Sequence, residues 1–261
     1  MILRLAERLS LGQVVYTAVD ADASHPPEAS RQLEEWAARH NAAWSVPGPG
    51  LARLRTATTD LDIRWITASI FDESLPPGPF DAVLAHAFLD LVDLERALPR
   101  LLGRLPPGGI FYAALTFDGL TAFLPEFDRD LDDAIIDAYH GTMDDRREGG
   151  LPSGDSRTGR RLLIELPRHG AHVLAAGSSD WVVFPGEGGY REGEAMFLRA
   201  ILDMVESALR PAPPRGSGAF EDWLSARRRQ LDEGRLVFIA HQLDVLSVAA
   251  PRSGEPPTQP P

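Results

Sequence analysis

The sequence predicts an α/β fold, a mainly parallel sheet with helices on both faces. Two observations carry that expectation. Short apolar runs alternate with segments of helical period through the first 116 residues. Between them stand tight breaker clusters, Pro76-Pro77-Gly78-Pro79 and Pro106-Pro107-Gly108-Gly109, which keep the joints short and stop helices abruptly. A chain that alternates strand and helix in this way buries its apolar faces most simply as stacked layers around one sheet.

The elements follow in order. Ile2, Leu5 and Leu9 recur at helical spacing, so Met1 to Leu9 reads as helix, ended by Gly12. Val14 to Val19 is an apolar run closed by Asp20 and reads as a buried strand. Pro26-Pro27 opens a helix to about Asn41, with Leu33 and Trp36 on its apolar face. Pro47 to Gly50 reads as loop, and Ile63 to Ile70 as the next strand. Phe80 to His86 is a third strand, Leu94 to Leu105 an amphipathic helix, and Ile110 to Thr116 a fourth strand.

After Asp118 the rhythm changes. Leu120 to about Asp145 is acidic and helical in pattern, longer than a simple joint. Ser156 to His169 reads as helix, with Ser156 as N-cap and Gly170 as the stop. His172 to Ala176 and Trp181 to Phe184 are strand pieces interrupted by Gly177-Ser178-Ser179. Helices over Gly193 to Leu209 and Ala219 to Glu233 precede a long last strand, Leu236 to Val248. Residues 1–250 are expected to form one domain, with a lid insert at 120–155 and a helical insert at 190–233. The polar, proline-rich tail 251–261 is expected to be disordered.

Composition removes whole classes of chemistry. The 261 residues contain no cysteine, so disulfides, zinc–thiolate sites and thiol nucleophiles are out. They contain no lysine either, which removes Schiff-base catalysis, a Walker-type phosphate lysine and a Tyr/Lys dehydrogenase pair. A net charge of -12 argues against nucleic acid as a partner, since that needs a basic face. No apolar run approaches membrane-spanning length and no signal pattern opens the chain, so no membrane partner is expected and the location is read as cytoplasmic. No metal-ligand spacing is present, and oligomeric state is left open.

Asp20 is the first functional clue. An acid at the end of a strand in a doubly wound fold can accept hydrogen bonds from a nucleoside ribose, although it serves equally as the residue that opens the turn Ala21 to Ser24. Three segments then stand in order and at spacing: Val15-Tyr16-Thr17-Ala18-Val19-Asp20, Phe80-Asp81-Ala82-Val83-Leu84-Ala85-His86 and Leu105-Pro106-Pro107-Gly108-Gly109-Ile110-Phe111. Together they resemble the acidic end of strand two, the strand-four segment and the turn into strand five of class I S-adenosylmethionine-dependent methyltransferases of the small-molecule type.

That resemblance implies a Rossmann-like doubly wound sheet, mostly parallel with an antiparallel last strand, and S-adenosylmethionine as cofactor. It implies that Asp20 holds the ribose hydroxyls of the donor. Ser69 and Ile70 take the place that meets the adenine, where the family usually offers a carboxylate; Asp72 stands close enough in sequence to compensate. Ala85 and His86 line the methionine end, with His86 as base or substrate orienter. His86 reads equally as a satisfied histidine at a strand end. The family's first strand and its glycine-rich loop have no counterpart after Met1, and the expectation is of a start truncated within the gene.

The same resemblance implies that recognition of the acceptor, a small molecule, falls to the segments after strands four and five. The 120–155 insert fits a lid, and Tyr139, His140, Arg146 and Arg157 are its candidate substrate contacts. Its carboxylates would suit a cationic acceptor, but a carboxylate run is more often one solvated helix face. Arg157 or Arg160 could bind an anion, against the plainer reading that Gly154 to Arg160 caps a helix. His241 reads as structural. The function expected is methyl transfer to an O or N atom of a small molecule. The alternatives are a non-catalytic methyltransferase-like binding protein and an NAD-dependent oxidoreductase.

Overall fold

In the computed structural model, which describes residues 12–250 together with Leu3 and Ser10, contacts gather into two units, residues 1–77 and 78–261. The helix expected over Met1 to Leu9, Leu3 apart, and the tail from Pro251 lie outside the described residues.

In the first unit, β1 (Gly12–Asp20) runs parallel to β4 (Thr59–Thr67) in unbroken register, Gly12 opposite Thr59 and Asp20 opposite Thr67. Next in the sheet comes β3 (Leu51–Arg55) and then β2 (Ala43–Gly48), both joined by antiparallel ladders. The stretch read as loop is therefore a hairpin. Pro49-Gly50 makes its turn, with Gly50 at φ +67°, so the breaker residues mark a two-residue reversal between strands. Helix α1 (His25–Arg39) begins with its prolines at the first turn, where the missing amide costs nothing. Its Leu33, Trp36 and Ala37 pack on Ala52, Leu54, Leu61 and Ile63. Each large side chain buried there contributes roughly 1.5–3 kcal/mol.

The sequence reads β1 as buried, and it is not. Among the described residues β1 has β4 as its only ladder partner, so Val15 remains 60% exposed and Val19 39%.

The second unit is built on two long strands. β6 (Ile110–Leu124) and β11 (Val237–Ala249) pair antiparallel from Ile110–Val248 to Leu124–Val237. β5 (Ala82–His86) lies parallel to β6 along its first residues only. β9 (Ala171–Ser178) and β10 (Trp181–Val183) both pair antiparallel with β11. The two sheets are thus mixed, with the last strand antiparallel as the resemblance implies.

Helices α2 (Leu94–Leu102) and α4 (Thr158–Arg168) cover the near half. Asp93 caps α2 by accepting from the amides of Glu95 and Arg96, and Leu94, Leu98 and Leu101 are buried. Leu162 and Leu166 of α4 are likewise buried, and α4 packs on β6, β9 and β11. The far half of the β6–β11 pair forms its own core with α3 (Arg129–Asp144), α5 (Glu194–Leu209) and α6 (Ser217–Asp232). There Phe123 and Phe238 meet Trp223, Phe220, Leu198 and Leu202. Helical character in the insert thus begins at Arg129. Leu120 to Leu124 continue β6, and Thr121 to Leu124 pair there with Val237 to Ala240. A two-residue hairpin, β7 (Arg147–Glu148) with β8 (Leu151–Pro152), closes the insert. Among the described residues, no helix is long and apolar enough to cross a membrane.

Three carboxylates of the acidic run have structural partners. Asp128 caps α3 through the Leu131 amide at 2.9 Å. Asp132 ion-pairs with Arg227, which is fully buried, and accepts from the Trp223 indole at 2.6 Å. Asp144 accepts from the amide and hydroxyl of Ser156, at 2.7 and 3.2 Å.

Ser156 is therefore turned toward Asp144 and does not cap α4. The cap comes from another element: Asp118 on β6 accepts from the Arg160 amide at 2.6 Å and from its Nε at 2.9 Å. Gly159 makes this approach possible. A Cβ there would stand 2.9 Å from the Asp118 Cβ and 3.1 Å from the Thr116 carbonyl oxygen.

Candidate functional site

Strand ends carry the candidate residues in each unit. In the first unit β1 delivers Asp20 to its C-terminal end, with the carboxylate 47% exposed. One oxygen accepts from the Asp22 amide at 2.9 Å, and the other meets His25 Nδ1 at 2.8 Å. The hydrogen bond to Asp20 holds the His25 imidazole above its ordinary pKa. Ser69 and Ile70 lie in the turn after β4. There Asp72 accepts from the Ser69 amide at 2.9 Å, and Ser69 Oγ accepts from the Phe71 amide at 3.2 Å. The carboxylate that could replace the family's adenine partner is thus bound to the turn itself.

In the second unit β5 ends opposite Ala114 while β6 runs on to Leu124, and both strands carry unusual backbone at that level. Ala85 is buried and His86 is exposed at the end of β5. Ala87, next in the chain, has φ +48° and donates its amide to the Ala114 carbonyl at 2.9 Å. Leu115 on β6 has φ +53°. For residues with side chains this left-handed region is costly, and such positions gather where a fold holds its backbone for function.

The Leu115 amide donates to Asp244 of β11 at 2.8 Å, and the Tyr112 hydroxyl donates to the same carboxylate at 2.6 Å. Burial pushes the Asp244 carboxyl up. The Ser179 and Tyr112 hydroxyls, the Leu115 amide and the charge of His86 outweigh it and hold Asp244 below its ordinary pKa. Residue pattern alone gives Asp244 no role. Its one signal is a lone carboxylate in the apolar run Leu243-Asp244-Val245-Leu246, where a half-buried charge requires partners.

The insert contributes a second group. His140 of α3 bonds Thr121 Oγ1 at 3.1 Å through Nε2, and its ring meets Phe117 edge-on at 5.2 Å. Burial lowers the His140 pKa and raises that of its neighbour Tyr139. The charge of Arg146 reaches Tyr139 and Asp90, while that of Arg157 reaches His140. Tyr139 and His140, adjacent on α3, thus each lie within reach of one of these arginine charges. Arg160 is committed to Asp118.

Asp90, in the short turn after β5, carries no mark in the sequence. Burial raises its carboxyl, against the pull of its own amide, Arg146 and the Phe117 amide, and Oδ1 is buried without a hydrogen-bond partner among the described residues. His241 lies between two carboxylates, with Nδ1 2.7 Å from Asp180 and Nε2 3.7 Å from Asp118.

No protein-family model matches the chain. Over 76 residues it is 40% identical to an uncharacterized methyltransferase of Mycobacterium bovis and, equally, to one of Mycobacterium tuberculosis. The matched stretch spans 29% of this chain and 38% of those relatives. Similar solved structures include a SAM-dependent methyltransferase of Methanosarcina mazei, at TM-score 0.46 and 13% identity over 97% of this chain and 88% of that one. Another is a putative methyltransferase of Bacillus halodurans, at TM-score 0.47 and 8% identity over 92% and 84%. Over the stretch of sequence that it shares with the mycobacterial proteins, the chain is a relative of methyltransferases.

Proposed function

We propose that this protein transfers a methyl group from S-adenosylmethionine to an oxygen or nitrogen atom of a small-molecule acceptor. The observation that carries the reading is the 40% identity over 76 residues to proteins named as methyltransferases. Within the first unit, Asp20 is exposed at the end of β1, which supports the donor half of the reading; within the second, His86 is exposed at the end of β5, which supports the acceptor half.

The residues fit the donor at its ribose. Each Asp20 oxygen has one partner, and a carboxylate offers about four lone-pair directions, so acceptor capacity remains for two hydroxyls. S-adenosylmethionine supplies a methyl group already activated by its sulfonium. Asp20 binds, and Ser69 with Ile70 borders the adenine side. Ala85 and His86 stand at the methionine end. His86 takes up at an imidazole nitrogen the proton that an acceptor O–H or N–H loses, and passes it to water. Tyr139, His140, Arg146 and Arg157 orient the acceptor beneath α3, where partial burial limits water.

Isothermal titration of the protein with S-adenosylmethionine tests the donor half, and transfer of a labelled methyl group to a panel of phenols and amines tests the acceptor half. Saturable binding with label in the product is expected. Binding without transfer to any acceptor would favour a methyltransferase-like binding protein. NADH binding without S-adenosylmethionine binding would move the reading to an oxidoreductase.

A further inference from the structure

The β6–β11 ladder is interrupted at two places, one of them near the end of β5. Leu243 pairs with Thr116 and Val245 with Ala113, so Ala114 and Leu115 of β6 together face the single residue Asp244. This is a bulge, and its extra residue is Leu115, held at φ +53°. Bulges re-aim side chains and recur beside functional sites.

The registers show what this bulge aims. His86 is opposite Ala114, and Leu84 is opposite Tyr112, so His86 shares a sheet face with Ala114 and Tyr112. Tyr112 is also opposite Leu246, two residues from Asp244, and its hydroxyl reaches the Asp244 carboxylate at 2.6 Å. His86, Tyr112 and Asp244 therefore lie on one face, with His86 and Asp244 flanking β6 at the same level. Their backbones stand about two strand spacings apart, roughly 9.5 Å, a gap that a histidine and an aspartate extending toward each other can close.

We propose that Asp244 is a positioning residue for His86: its carboxylate, fixed by Tyr112 and the Leu115 amide, orients the imidazole and balances its charge when protonated. The assignment rests on the reading of His86 as the group that receives the acceptor's proton. Asp244 stays ionised throughout; the proton resides on His86 and leaves to water. The strained Leu115 then has a purpose, since its amide is one of the donors that fix the carboxylate. The groups that face Asp244 are His86 from β5, Tyr112 from β6 and Ser179 from the turn after β9. The favourable charge interaction between His86 and Asp244 accords with the geometry.

Histidine imidazole titration by NMR tests the assignment without substrate. The His86 resonance is identified by its loss in H86Q. In D244N the His86 midpoint is expected to fall by about one pH unit, the scale of losing one nearby opposite charge, while that of His140 stays in place. The reciprocal measurement follows the Asp244 carboxyl carbon, whose midpoint is expected to rise in H86Q; His86 is exposed, so this variant keeps the fold even if D244N does not. An unchanged midpoint in either folded variant overturns the proposal. If both midpoints move but the wild-type protein transfers no methyl group, the pairing stands and the methyltransferase reading fails. If methyl transfer is observed and neither midpoint moves, the pairing fails and the methyltransferase reading stands.

Discussion

At the scale of single residues, Asp20 and Gly159 make the sharpest contrast. Asp20 is half exposed, so its removal is expected to speak to ligand more than to fold. Asp20→Ala is expected to weaken S-adenosylmethionine binding by about 10- to 100-fold, the range for losing hydrogen bonds to a charged group, with an unchanged unfolding midpoint; calorimetry and thermal melts read the two. Gly159 is the opposite case. Its missing side chain lets α4 approach β6 until Asp118 reaches the Arg160 amide, so Gly159→Ala is expected to cost about 1–3 kcal/mol through overpacking. Urea denaturation would show it as a lower midpoint at constant slope.

His140 gives a pH prediction at the same scale. Burial lowers its pKa from the ordinary value of 6.5, so below that pH the unfolded chain binds a proton that the folded chain refuses. Its contribution to stability is full above about 6.5 and is lost as pH falls through the interval down to its folded value. Stability measured from pH 7 to 5 is therefore expected to fall more steeply in the wild type than in His140→Gln.

At the scale of elements, the sequence is readable where a segment's own pattern decides its state. The helices α1, α2, α5 and α6 and the last strand follow from apolar period, proline starts and stops. Three features are hidden because a distant partner decides them. Pro47 to Gly50 reads as loop, yet Pro47 and Gly48 belong to β2 and only Pro49-Gly50 turn, because β2 pairs with β3 and β3 with β4. Thr121 to Leu124 are strand because Val237 to Ala240 lie opposite. Ser156 has the residue type of a cap, but Asp144 holds its side chain and Asp118, remote in sequence, takes the capping role.

The site shows the same division. Asp20 and His86 end apolar runs and are visible in the sequence; Asp90 and Asp244 draw their character from burial and from partners on other elements. The acidic insert also makes an element-level prediction. Asp132 neutralises a fully buried arginine, and stripping one partner from such a pair costs about 3–5 kcal/mol. Asp132→Ala is expected to lower thermal stability by that amount, while Asp133→Ala leaves it nearly unchanged; parallel melts decide.

At the scale of the whole molecule, composition and layer pattern are enough for the α/β class. Alternating strand and helix leaves few other ways to bury this much apolar surface. Composition cannot reveal that the β6–β11 pair outruns its sheet and supports a second core of Phe123, Phe238 and Trp223. That core depends on contacts between residues far apart in the chain, which no local pattern encodes. The net charge of -12 keeps like molecules apart and is expected to make solubility fall toward the isoelectric point near 5.0.

The edge of β1 works against that repulsion. Among the described residues no strand pairs with its outer side, and its amides and carbonyls there, beside the exposed Val15 and Val19, are a template on which an extended peptide could grow the sheet by one strand. Colloidal behaviour, not catalysis, is where this strand declares itself. Light scattering is expected to rise with concentration and with salt, which screens the charge, and Val15→Lys is expected to suppress that rise.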